Sequence, residues 1–78
     1  MREINETDFI ALFEEITESK DSSYAMDTVL VDQAVWDSLA ILMFISAVDD
    51  RFNLVLNPDR IGQCQTLGDL RQLVMTAD

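Results

Sequence analysis

Apolar residues recur at helical spacing in three stretches of this 78-residue chain. Phe9, Leu12, Phe13 and Ile16 fall three and four apart, while Ala11, Glu14, Glu15 and Glu18 take the other side, which predicts a first helix with a core stripe and a solvated face. Asn5 stands at its N-cap with Asp8 at N3 in a capping-box-like relation, and Ile4 and Phe9 hold the staple positions. A second helix is predicted from about Ser38 to Arg51 or Phe52, roughly 22 Å long. At 100° per residue, Ile41, Phe44, Ile45, Val48 and Phe52 gather on its inner side, and Leu39, Leu42, Met43, Ser46, Asp49 and Asp50 on its outer side. Asp37 is its N-cap, flanked by a staple of Trp36 and Ile41. Thr66 caps a last helix with Asp69 at N3, and Leu67, Leu70, Leu73 and Val74 form its apolar side.

Two connecting stretches complete the pattern. Residues 19–35 open on the polar run Ser19-Lys20-Asp21-Ser22-Ser23 and continue with a looser apolar set, Tyr24, Met26, Val29, Leu30 and Val31. A loop this long in so small a domain is commonly functional, and its apolar residues predict that it packs down across the helices. Asn57-Pro58-Asp59-Arg60-Ile61 reads as a short helical turn, with Asn57 capping, Pro58 at N1 and Gly62 breaking it. The expected architecture is therefore all-α. It is a single domain over residues 1–78, an up-and-down bundle of three main helices plus a short extra one, with a long first loop.

Charge narrows the possible partners. Fifteen acidic residues against five basic ones, with no histidine, give a formal charge of -10. Nucleic-acid phosphates and anionic membrane surfaces repel such a chain, whereas a basic patch on an enzyme attracts it. Self-repulsion on a thin core predicts that salt or divalent cations stabilise the fold. No apolar run is long enough to span a membrane, and Met1-Arg2-Glu3-Ile4-Asn5-Glu6 lacks the apolar core of a signal peptide, so a cytoplasmic location is expected, and the chain is taken to be a monomer.

Little in the chain could catalyse a reaction. Cys64 has no second cysteine or histidine with which to form a disulfide, a metal site or a dyad, and reads as a small core or boundary residue. Tyr24 and Lys20 complete no nucleophile–base–orienter set. Neighbouring carboxylates such as Glu14-Glu15 and Asp49-Asp50 point to different parts of a helix surface. A calcium loop begun at Asp49 would need glycine and glutamate where Leu54 and Arg60 stand, and Gly62 and Gly68 are too isolated to make a phosphate loop. The expectation is a protein that is not an enzyme and binds no metal.

Ser38 is the residue with chemical promise. With Asp37 capping the helix, the hydroxyl at N1 stays free and points outward, beside the positive end of the helix dipole where a phosphodiester is favoured. The plainer reading is that a serine beside an aspartate at a helix start belongs to a cap and nothing more.

In its full setting, Asp37-Ser38-Leu39 resembles the attachment motif of the carrier-protein family, the acyl carrier proteins and their peptidyl and aminoacyl relatives. The resemblance spans nearly the whole chain. It includes the length, the acidity, the long first connector, the run Asp49-Asp50 followed by Phe52, and the closing Thr66-Leu67-Gly68-Asp69-Leu70. It implies that Ser38 carries 4′-phosphopantetheine, attached by a phosphopantetheinyl transferase, and that the arm holds an acyl or aminoacyl cargo as a thioester. Asp37 would orient the motif and Leu39 would contact the modifying enzyme. By the same analogy Met26, Val29, Leu30, Ile41, Phe44, Ile45 and Val48 line an acyl cavity, and Leu39, Leu42, Met43, Asp49 and Asp50 meet loading or transfer enzymes.

Two departures from the family pattern matter. Carriers of bacterial fatty acid synthesis usually place acidic residues on the outer face of this helix near the serine, where this chain has Ala40, Leu42 and Met43. Val35 stands where the family often has glycine, and Trp36 lies directly before the aspartate. Both point toward a specialised fatty acid, polyketide or aminoacyl pathway rather than housekeeping fatty acid synthesis. The apolar strip is either an exposed docking surface or ordinary core covered by the connector. A rival from another class also fits the charge and the strip, namely an acidic helical interaction module, a DNA mimic or inhibitor, in which Ser38 is only structural. Phosphorylation of Ser38 is a third possibility.

Overall fold

A computed structural model describes residues 3–18 and 24–77. The predicted polar run at 19–23, with residues 1, 2 and 78, lies outside the described residues. The described chain is helical, in the order α1 (Glu6–Thr17), a 3₁₀ turn (Leu30–Asp32), α2 (Ser38–Phe52), α3 (Pro58–Gly62) and α4 (Leu67–Thr76). One isolated antiparallel bridge joins Val29 to Thr66.

Each helix begins where the sequence offers a side-chain acceptor for an orphan backbone donor. Asn5 Oδ1 accepts from Thr7 N at 2.7 Å, so the cap bond closes at N2 of α1 rather than in the predicted relation to Asp8. Asp37 Oδ1 accepts from Ala40 N at 2.9 Å, and Asn57 Oδ1 from Asp59 N at 2.8 Å, with Pro58 at N1. At α4 the capping box is complete: Thr66 Oγ1 accepts from Asp69 N at 3.1 Å, and Asp69 Oδ2 accepts from Thr66 N at 3.2 Å. Helices α1 and α2 stop at left-handed residues, Glu18 (φ 54°) and Asn53 (φ 53°). Asparagine tolerates that conformation well, and the Asn53 N–H closes the last turn on Asp49 O.

Burial follows the stripes. Phe9, Leu12, Phe13 and Ile16 are all buried, as are Leu67, Leu70 and Val74 on α4. Phe44 and Val48 of α2 are fully enclosed. Five aromatic rings form a relay through this core, at centroid spacings suited to edge-to-face contact. Tyr24 meets Phe13 at 5.1 Å, Phe13 meets Trp36 at 5.3 Å, Trp36 meets Phe44 at 5.8 Å and Phe44 meets Phe9 at 6.0 Å. Two of the rings, Tyr24 and Trp36, belong to the connector. The loop is thus bolted to the helices, and the residue just before Asp37 is fixed between α1 and α2.

Backbone bonds hold the other side of the connector to the start of α4. Leu67 N and Gly68 N, two of the free donors of that helix, reach Thr28 O at 2.9 Å and Met26 O at 2.7 Å, while Leu30 N donates to Gln65 O at 2.9 Å. The close approach depends on Gly68 having no side chain: a Cβ there would stand 2.9 Å from Met26 O. For Gly68→Ala, the gain in helix propensity of at most about 1 kcal/mol is outweighed by overpacking of about 1–3 kcal/mol. We expect a net loss of about 1–2 kcal/mol, read as a lower urea midpoint; an unchanged or raised midpoint would contradict the clamp.

Several positions depart from the predicted faces. Ala40, assigned to the early outer face of α2, is buried, because it lies one turn before Phe44 and two before Val48 on the same side. Val29, expected in the cavity wall, is 38% exposed, and Val31 points outward, since the 3₁₀ turn buries Leu30 and turns its neighbours away. Leu54, Leu56 and Met75 join the core without having been anticipated. Leu73 is half-buried.

Candidate functional site

The site grows out of the junction between the connector and α2. Trp36 N donates to Gln33 O at 3.0 Å and the indole packs against Phe13 and Phe44, which sets the direction in which the chain enters the helix. Asp37 follows in an extended conformation and caps the first turn through Ala40 N. Ser38 is the first helical residue and is exposed. No hydrogen bond from another described residue engages its hydroxyl. The capping work falls to Asp37, leaving Ser38 Oγ at the positive end of a 15-residue helix.

Around this serine the outer face of α2 is open. Leu39 is 65%, Leu42 61% and Met43 41% exposed, so the described part of the connector does not cover the strip. Exposed Ser46, Asp49 and Asp50 continue the face toward the C-terminal end of α2. Three apolar side chains on one helix face, next to an exposed hydroxyl and followed by carboxylates, make a surface suited to a partner with an apolar centre and a basic edge.

Two grooves run beside the strip. One, of about 400 Å³, lies between the end of α1 and the start of α2 and is lined by Ile16, Val35, Asp37, Leu39, Ala40 and Met43, among others. The other, of about 680 Å³, continues along α1 and α2 past Glu15, Ala47, Asp49, Asp50 and Asn53. Ile16 and Met43 line both, so the two adjoin along the seam of α1 and α2 as a trough in two parts. At its far end Arg51 pairs with Glu15 at 2.7 Å, an exposed bridge that contributes little.

The residues assigned to an acyl cavity are brought together on the inner side. Leu30, Phe44 and Val48 belong to the buried core, and Met26, Ile41 and Ile45 pack against it half-buried. Val29 stands apart from this cluster. Cys64 is half-buried, with its Sγ donating to Arg60 O at 3.5 Å. Burial, and secondarily the Asp69 carboxylate, push its thiol above the ordinary value, so it is a poor nucleophile near neutrality. Among the described residues no group of three metal-ligating side chains converges, and no helix is long and apolar enough to cross a membrane.

The groove between α1 and α2 escaped sequence reasoning. Periodicity assigns Ile16 to the core stripe of α1 and Met43 to the outer face of α2, and carries no information on how the two faces meet. No family model, curated protein or solved structure matches this chain.

Proposed function

We propose that this domain is an acyl carrier protein, which holds an acyl or aminoacyl group as a thioester on a 4′-phosphopantetheine arm joined to Ser38. The observation that carries the reading is the division of labour at the start of α2: Asp37 supplies the cap bond, and the neighbouring Ser38 is exposed at the helix mouth. A phosphodiester formed there sits against the unpaired N–H groups of the first turn, which favour negative charge. The residues present fit the arm, since Ser38 and its neighbour Leu39 are exposed at the point of attachment. When attached, the arm supplies a terminal thiol.

Ser38 Oγ would form the new bond to the phosphorus nearest the pantetheine as the P–O bond of the coenzyme A pyrophosphate breaks, with adenosine 3′,5′-bisphosphate leaving and a base on a separate transferase taking the hydroxyl proton. The domain then presents its cargo to successive enzymes and catalyses nothing itself. Its acidity steers it toward basic surfaces on those enzymes, and Leu39, Leu42 and Met43 provide the apolar centre of contact, with Asp49 and Asp50 at its edge. This balance of apolar over acidic contact near the serine supports a specialised pathway over housekeeping fatty acid synthesis.

Co-expression with a phosphopantetheinyl transferase, followed by intact-mass measurement, tests the proposal. A gain of one phosphopantetheine, absent from Ser38→Ala, is the expected result. A chain left bare by several competent transferases would favour an acidic interaction module, for which the exposed strip on α2 would serve as the binding face. Met43→Glu should leave modification of Ser38 largely intact but weaken loading by the cognate enzyme about tenfold in kcat/KM, the equivalent of roughly 1.4 kcal/mol. Unchanged loading kinetics would remove the apolar strip from the docking surface.

A further inference from the structure

Resting on the carrier reading, we infer that the cargo of Ser38 seats in the surface groove between the end of α1 and the start of α2, and that this groove selects uncharged acyl groups over carboxylate-bearing ones. The groove reaches the attachment point itself, because Asp37 and Leu39, the two neighbours of Ser38, both line it. Ile16, Ala34, Val35, Ala40 and Met43 supply the rest of its apolar wall. Its volume of about 400 Å³ falls within the range of small-molecule sites.

The core residues assigned to an acyl cavity are tightly enclosed among the described residues. Phe44 and Val48 have no exposed surface and Leu30 almost none, so a chain entering among them would have to displace packed side chains. The trough already stands open. A flexible arm anchored at its rim makes binding intramolecular, with an effective concentration on the order of millimolar, so even weak apolar contact suffices for occupancy.

Charge sets the selectivity. The charged groups among the described residues lining the groove are Glu18 and Asp37, both carboxylates, and further along the trough stand Glu15, Asp49 and Asp50. A cargo ending in a carboxylate would meet like charge beside the attachment point, at Glu18 and Asp37, whereas Arg51 stands only at the far end, where Glu15 already pairs with it. A plain acyl chain meets Ile16 and Met43 instead.

The test compares amide ¹H–¹⁵N spectra of the holo protein with those of the protein loaded from octanoyl-coenzyme A or malonyl-coenzyme A, after intact mass has established each loading. Octanoyl-dependent shifts are expected at Ile16, Thr17, Val35, Leu39, Ala40 and Met43. They should be lost in Ala34→Trp, which fills the groove from an exposed position, and the malonyl form should overlay the holo spectrum. Shifts concentrated at Leu30, Phe44, Val48, Leu56 and Ile61 would overturn the proposal in favour of an interior seat. Equal shifts from both cargoes would overturn the selectivity, and none from octanoyl would overturn the groove. A protein that gains no mass would overturn the carrier reading and this inference together.

Discussion

Phe44→Ala is expected to leave the chain without a stable tertiary fold. Phe44 has no exposed surface, and its ring touches both Phe9 of α1 and Trp36 of the connector. Truncating a buried phenylalanine costs about 3–5 kcal/mol in lost transfer energy and residual cavity. Small domains hold about 5–15 kcal/mol in all, and one carrying a formal charge of -10 on 78 residues belongs at the lower end. The substitution therefore removes most of the available stability. Loss of near-ultraviolet dichroism and of a cooperative urea transition would be the signature. The control is Val55→Ala, at a residue that is 78% exposed, for which the midpoint should hardly move. A cooperative Phe44→Ala transition near the wild-type midpoint would show that the aromatic relay does not hold the connector down.

Ser38→Ala is expected to do the opposite, abolishing phosphopantetheine attachment while leaving the fold intact. The side chain is exposed, and the cap bond to Ala40 N comes from Asp37, so the change in stability should lie within about 0.5 kcal/mol. Asp37→Ala is the informative companion. It removes the cap, at a cost of about 1 kcal/mol, and loosens the turn that displays the hydroxyl. Modification should then slow without being lost. If Ser38→Ala destabilised the protein as much as Asp37→Ala, Ser38 would be part of the cap and the plainer reading would stand.

Much of this architecture could be read from local signals. The stripe of α1 and the caps at Asn5, Asp37, Asn57 and Thr66 are short-range features, each set by a few neighbouring residues, and the helices begin where those caps stand. The exposure of Leu39, Leu42 and Met43 followed from their angular position, although it took the fold to show that the described part of the connector leaves them uncovered. What periodicity could not supply was tertiary. The bonds from Leu67 and Gly68 to the connector are between backbone groups, which leave no side-chain pattern beyond a glycine at the point of closest approach. Leu54 and Leu56 alternate with exposed Val55 in an extended link too short to be told from a loop. Val29 and Leu30 differ in burial because a single 3₁₀ turn rotates one inward and the other out. The trough beside Ser38 arises from two helix faces whose mutual placement no local pattern specifies.

The decisive measurement is the site of attachment in the unaltered protein: modification by a phosphopantetheinyl transferase, proteolysis, and fragmentation mass spectrometry of the peptide spanning Asp37-Ser38-Leu39. The account predicts one phosphopantetheine per chain, borne on Ser38. An unmodified peptide, or the added mass on any other residue, would contradict it.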